Sequence, residues 1–113
     1  MVKIGEINMS IEELSKICMN LISNAGEGRN YVFEALELAL REDYAGAKSK
    51  ILEAEKYLSE AHRIQFEELM SPQARGEEIP FNLLLLHAMD LLMISISEKD
   101  LVDTIIRAKS TDV

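Results

Sequence analysis

A single cysteine, Cys18, stands among 113 residues, so the chain forms no internal disulfide and no cysteine-rich metal site. Only two prolines interrupt it, Pro72 and Pro80, and no strand-like apolar run bounded by turn residues stands out. Basic residues are scarce: twelve Lys and Arg face twenty Asp and Glu, for a net charge of -8. That balance argues against a nucleic-acid binder, whose affinity rests on cationic contacts to phosphates, and suits a protein partner with a basic docking face. The opening MVKIGEINMS has no apolar signal core, and a reducing, cytoplasmic setting is the expectation. The length favours one domain, large enough to bury a core without staples.

What is present is helix-forming sequence. The spacing predicts an all-α fold of three helices over about 10–40, 44–70 and 80–109, after a flexible start over about 1–9. Ser10 followed by Glu13 has the spacing of a capping box. Ile11, Leu14, Cys18, Leu21 and Ala25 then step by three and four along one face. Gly26 and Gly28 weaken that helix and imply a kink or a close approach of another helix. The pattern argues against a phosphate-cradling loop there, because no strand precedes the glycines and no Gly-Lys-Ser/Thr follows. Asp43 is the expected cap of the second helix. Tyr44, Ala47, Ile51, Ala54, Leu58 and Ala61 give that helix a narrow seam for tight packing. The stretch SPQARGEEIP reads as the one substantial loop, with Pro80 suited to the first turn of the third helix.

The third helix is unusual. Of the seventeen residues from Phe81 to Ser97, twelve are apolar, and the only titratable groups are His87 and Asp90. The run falls short of the roughly 20 residues a membrane span needs. An aspartate in mid-run adds about 2.5–3.5 kcal/mol against insertion. Burial is the alternative, yet a helix in a three-helix monomer shows one face to water. An apolar helix there leaves a long uncovered stripe, which predicts a homo-oligomer with this helix at its centre. Leu83, His87, Asp90, Ile94, Ser97 and Leu101 step by four and three, the spacing of a heptad seam. On a rotational axis, Asp90 would meet its own copies. Clustered carboxylates share protons or hold a cation, with hard Mg²⁺ or Ca²⁺ favoured, or Asp90 simply sets the register. His87 reads either as a hydrogen-bonded core histidine or as a nucleophile, whose neutral ring accepts a phosphoryl group on one nitrogen and keeps its proton on the other.

Three blocks carry a family resemblance that extends from about Ser10 to Lys109. Ala25-Gly26-Glu27-Gly28-Arg29 is similar to an Ala-Gly-x-Ala-Arg element, and Glu60-Ala61-His62-Arg63-Ile64-Gln65 to Glu-Ala-His-x-x-Gln. His87-Ala88-Met89-Asp90-Leu91-Leu92-Met93 is similar to His-Ala/Gly-Gln-Asp-His-Leu-Met. The chain resembles the lactose/cellobiose (and chitobiose) class of enzyme IIA components of the sugar phosphotransferase system. The resemblance implies an antiparallel three-helix bundle assembled into a homotrimer. It implies His87 as the phosphoryl-accepting residue and Asp90 as the ligand of a divalent metal, Mg²⁺ foremost, on the trimer axis. It implies phosphate received from the phosphocarrier HPr and passed to a cysteine of a IIB component, with the sugar phosphorylated as it enters through a IIC component. Met89 stands where the family has Gln, and Leu91 where it often has His. Losing one charge-assisted bond to a phosphorylated ring costs about 1.5–3 kcal/mol, so slower transfer is expected. The alternative is an inactive oligomeric scaffold or adaptor derived from the family. His62 and Gln65 match family positions, and the residues around them assign neither a chemical role.

Overall fold

Ser10 opens the first helix as its spacing with Glu13 predicts: its hydroxyl oxygen accepts a hydrogen bond from the Glu13 amide at 3.0 Å. A computed structural model describes residues 8–111. Of the expected flexible start, residues 1–7 lie outside the described residues. Asn8 and Met9 are held in place. The Met9 amide donates to the Glu78 carbonyl at 3.0 Å, the Glu78 amide donates to the Asn8 side chain at 3.3 Å, and Met9 is buried.

Helix α1 runs over Ile11–Leu40. It ends in a Schellman motif, with the Asp43 amide donating to the Leu38 carbonyl at 2.9 Å and the Glu42 amide to that of Ala39 at 3.0 Å. Glu42 takes the left-handed conformation this motif needs, at φ 63°, which is costly for a residue with a Cβ. Glu42→Gly is therefore expected to stabilise the protein by about 1 kcal/mol, read as a higher urea midpoint with an unchanged denaturant slope. Helix α2 begins at Tyr44, and the Asp43 carboxylate caps it by accepting from the Gly46 amide at 2.9 Å.

The second and third helices differ from the sequence expectation at their facing ends. α2 is α-helical over Tyr44–Ile64, passes through a π-helical segment, Gln65–Met70, and closes with an α-turn, Ser71–Ala74. Pro72 thus sits in the first turn of a helical segment, where its missing N–H costs nothing, and it does not open the loop. The loop is correspondingly shorter. It turns at Gly76 (φ 94°) and runs on to Asn82, whose side chain caps helix α3 by accepting from the Leu84 amide at 2.7 Å. α3 spans Leu83–Ser110, so Pro80 precedes the helix and is not part of its first turn.

The three helices form an up-down-up rod of 66 × 20 × 16 Å, with α1 parallel to α3. Its interior is two apolar clusters. Leu14, Cys18, Leu21, Ala61, Ile64 and Leu92 belong to one, and Val32, Ile51, Ala54, Leu58, Val102 and Ile106 to the other. Each fully buried leucine contributes about 1.5–3 kcal/mol. Gly28 is the close approach that the glycine pair predicts. A Cβ there would lie 2.7 Å from the Leu58 side chain and 3.2 Å from the Ala54 carbonyl oxygen, so with any larger residue here Leu58 would have to move aside. Cys18 is buried as a small apolar group, and burial pushes its thiol pKa up. Among the described residues, no helix is long and apolar enough to cross a membrane.

Candidate functional site

One face of α3 packs inward through Ala88, Leu92, Ser95, Val102 and Ile106, all buried. The Ser95 hydroxyl is satisfied within the helix, donating to the Leu91 carbonyl at 2.6 Å. The opposite face is uncovered. Leu83 is 74% exposed, Leu101 63% and Ile94 51%, and His87, Asp90 and Ser97 on the same stripe are also exposed. The predicted heptad seam is therefore real as a surface: a continuous apolar strip along a rod-shaped chain, with a carboxylate on its midline and an imidazole on its flank. A strip of this length marks an interaction site.

Neighbouring helices fix which flank is which. On one side, the Arg29 guanidinium of α1 grips Glu98 of α3, with Nε to Oε1 at 2.7 Å and Nη2 to Oε2 at 3.2 Å. This bidentate pair raises the Arg29 pKa further, and the same guanidinium lies 4.9 Å from the centroid of the Phe33 ring. Glu98 comes eleven residues after His87, which at about 100° per residue puts both on the same side of α3. His87 therefore stands on the α1 flank of the strip. The other flank adjoins α2. There the buried Gln65 amide reaches the Met89 sulfur at 3.1 Å, and Lys99 lies 3.6 Å from Glu55. Partial burial lowers the Lys99 pKa, but Asp100 above all, then Glu55 and Asp103, outweigh it and raise the pKa.

This geometry corrects one expectation. Met89 is two residues past His87, about 200° round the helix, and its thioether faces Gln65, away from the histidine edge. A glutamine in its place would meet α2 and would not meet a group on His87 of the same chain. Leu91 is nearer, one turn beyond His87, and is half-buried against the core. Gln65 does satisfy a neighbouring helix, through a sulfur acceptor. His62 is exposed and lines a groove with Leu58, Ser59, Ile96 and Lys99. Ile96 is nine residues from His87, about half a revolution, so within one chain the two histidines lie on opposite sides of α3.

Among the described residues, no group of three or more His, Cys, Asp or Glu side chains could hold a metal ion within one chain. Asp90 alone supplies one hard oxygen donor group on the seam. The Arg29–Glu98 clamp had no local signal in the sequence, since its partners are 69 positions apart.

The comparisons with known proteins match this frame. The family described as the PTS system, lactose/cellobiose-specific IIA subunit, matches residues 16–110. The chain belongs to this family. It is 34% identical over 98 residues to a PTS system lactose-specific EIIA component of Lactococcus lactis subsp. lactis, covering 87% of this chain and 92% of that protein. It is 37% identical over 95 residues to a lichenan-specific phosphotransferase enzyme IIA component of Bacillus subtilis, covering 84% of this chain and 86% of that one. The crystal structure of a PTS cellobiose-specific enzyme IIA from Bacillus anthracis superposes with a TM-score of 0.81 at 35% identity, covering 91% of this chain and 92% of that one. As a member of the IIA family, the chain is a component of the sugar phosphotransferase machinery. Its three sequence blocks acquire structural reasons. Gly28 seats α2, Arg29 holds α3, Ala61 and Ile64 fill the core beside Gln65, and the His87–Asp90 block stands on the open seam.

Proposed function

We propose that this IIA protein is a phosphoryl carrier, accepting phosphate from phospho-HPr on His87 and handing it to the cysteine of a IIB component during disaccharide or β-glucoside uptake. The observation that carries the reading is the exposed imidazole of His87 on the flank of an otherwise apolar strip, one turn from Asp90. The reaction asks little machinery of the protein. A ring nitrogen lone pair attacks phosphorus, the bond to the donor breaks, and the other ring nitrogen keeps its proton to hold a hydrogen bond. What the site must provide is reach, and an exposed flank provides it.

The strip is covered, in this reading, by two further copies of the chain around a three-fold axis, with Asp90 innermost. One carboxylate per chain gives an all-oxygen donor set, which suits Mg²⁺ and not a soft metal. That ion would neutralise the clustered carboxylates and takes no part in the transfer. The carrier works in the cytoplasm. Similar proteins are named for lactose, lichenan and cellobiose, which suits a component that meets proteins and leaves sugar choice to the membrane IIC component.

The test is incubation with phosphoenolpyruvate, enzyme I and HPr. One acid-labile, alkali-stable phosphoryl group per chain is the expected result. Absence of label under conditions that charge an authentic IIA would overturn the carrier reading in favour of a scaffold or adaptor.

A further inference from the structure

We infer that an apolar groove at the end of the bundle where α1 and α3 begin is a docking site for this chain's own residues 1–7, with Ile7 and Ile4 as the side chains that fill it. The inference needs neither the carrier reading nor the trimer. It concerns what closes the end of the bundle from which α3 starts.

The groove is the starting observation. The last turns of α2 form one wall through Leu69, Met70 and Gln73, and the loop and α3 form the other through Ile79, Leu85 and Met89. Its volume is about 230 Å³, enough to admit aliphatic side chains. Met70 is 47% exposed, and Phe81, which also lines the groove, is 76% exposed. Large apolar groups gathered around a concave surface call for an apolar occupant.

The path of the chain names that occupant. The Met9 amide donates to the Glu78 carbonyl at 3.0 Å. The Asn8 side chain accepts from the Glu78 amide and donates to the Glu78 carboxylate, each at 3.3 Å. Glu78 directly precedes Ile79 of the groove wall. Met9 is buried in the same apolar cluster as Leu69, and Ile79, Leu85 and Met89 pack against that cluster. The chain is thus tied down at the lip of the groove just after residue 7. The seven preceding residues, Met-Val-Lys-Ile-Gly-Glu-Ile, are apolar at four positions and β-branched at three, a composition suited to an extended segment. Extended backbone puts Ile7 on the same side as Met9, two residues away. Ile4, five residues before Met9, reaches up to about 17 Å from it, comparable with the 20 × 16 Å cross-section of the bundle. Gly5 allows the chain to bend between the two isoleucines. Charge agrees. Between Gln65 and Asn82 the bundle end carries Glu67, Glu68, Glu77 and Glu78 against the single base Arg75, an acidic setting for Lys3.

Paired cysteines in the full chain test this. In a Cys18→Ala background treated with diamide, Ile7→Cys/Gln73→Cys or Ile4→Cys/Gln73→Cys should form a disulfide within one chain in more than half of the molecules, seen as a faster-migrating band on a non-reducing gel. Ile4→Cys/Thr104→Cys should not, because Thr104 lies about 30 Å along α3 from its start, beyond the reach of the segment. A second readout needs no cysteine. The chain has no tryptophan, so Phe81→Trp places a single fluorophore on the groove. Its emission should lie to the blue of that of the same protein carrying Ile4→Asp/Ile7→Asp, by the same shift at every protein concentration. Disulfides that form only between chains would give the groove to a second copy and overturn the proposal. So would the absence of a disulfide in both pairs, or tryptophan emission that the two aspartates leave unmoved. None of these readouts involves phosphate, so their failure leaves the carrier reading standing, and failure of the carrier reading leaves this one.

Discussion

His87→Ala is expected to leave a folded protein that takes up no phosphate, with label below about one-thousandth of wild type after the same incubation. The fold should survive because the His87 side chain is exposed on α3 and packs into neither apolar cluster. Exposed substitutions of this kind change stability by about 0.5 kcal/mol or less. The chemistry should not survive, because no other side chain on the strip is a nitrogen nucleophile. His62 cannot take over within its own chain, since it faces the α2–α3 groove on the other side of the helix. His62→Ala therefore serves as the control and is expected to label within about twofold of wild type. The informative measurement is label per chain set against helicity and subunit count for both variants. Label that persists in His87→Ala would reassign the acceptor, and label lost equally in both variants would point to a docking or assembly defect.

Much of this was legible in the sequence, for reasons that can be named. The Ser10 and Asp43 caps, the α2 seam and the α3 strip are local periodic signals, and each appears where the three-and-four spacing puts it. The misread ends of α2 and α3 have a different cause. Pro72 looks like a breaker, but the helical turn that follows the π-helical segment places it where no donor is needed, and Asn82 caps α3 two residues after Pro80. Which way a residue faces across helices is a tertiary fact. Met89 adjoins His87 in sequence and turns its sulfur to Gln65 in space, so the departure from the family pattern there falls on α2 packing. The same holds for Arg29 and Glu98, 69 positions apart in sequence and paired in space.

Asp90→Leu should strengthen the trimer, by about 1–4 kcal/mol, while leaving the isolated chain unchanged. In the protomer Asp90 is exposed and makes no ion pair among the described residues, so the substitution removes no internal contact. In the proposed trimer three carboxylates would converge where Leu83, Ile94 and Leu101 would be buried against their copies, and like charges in such a place are held together only at a cost. A leucine extends the apolar strip through that point. Chelation separates the contributions. A divalent cation on the proposed axis would stabilise the wild-type trimer by mass action, so EDTA should lower the wild-type unfolding midpoint and leave the Asp90→Leu midpoint unmoved. Sedimentation across a dilution series, with and without chelator, measures both effects. A monomeric Asp90→Leu variant would place the carboxylate among the groups that hold the subunits together. A midpoint equally sensitive to EDTA in both proteins would remove the metal from the axis. The predicted pattern, tighter assembly together with lost metal sensitivity, arises only if the midline of α3 is the axis of the particle.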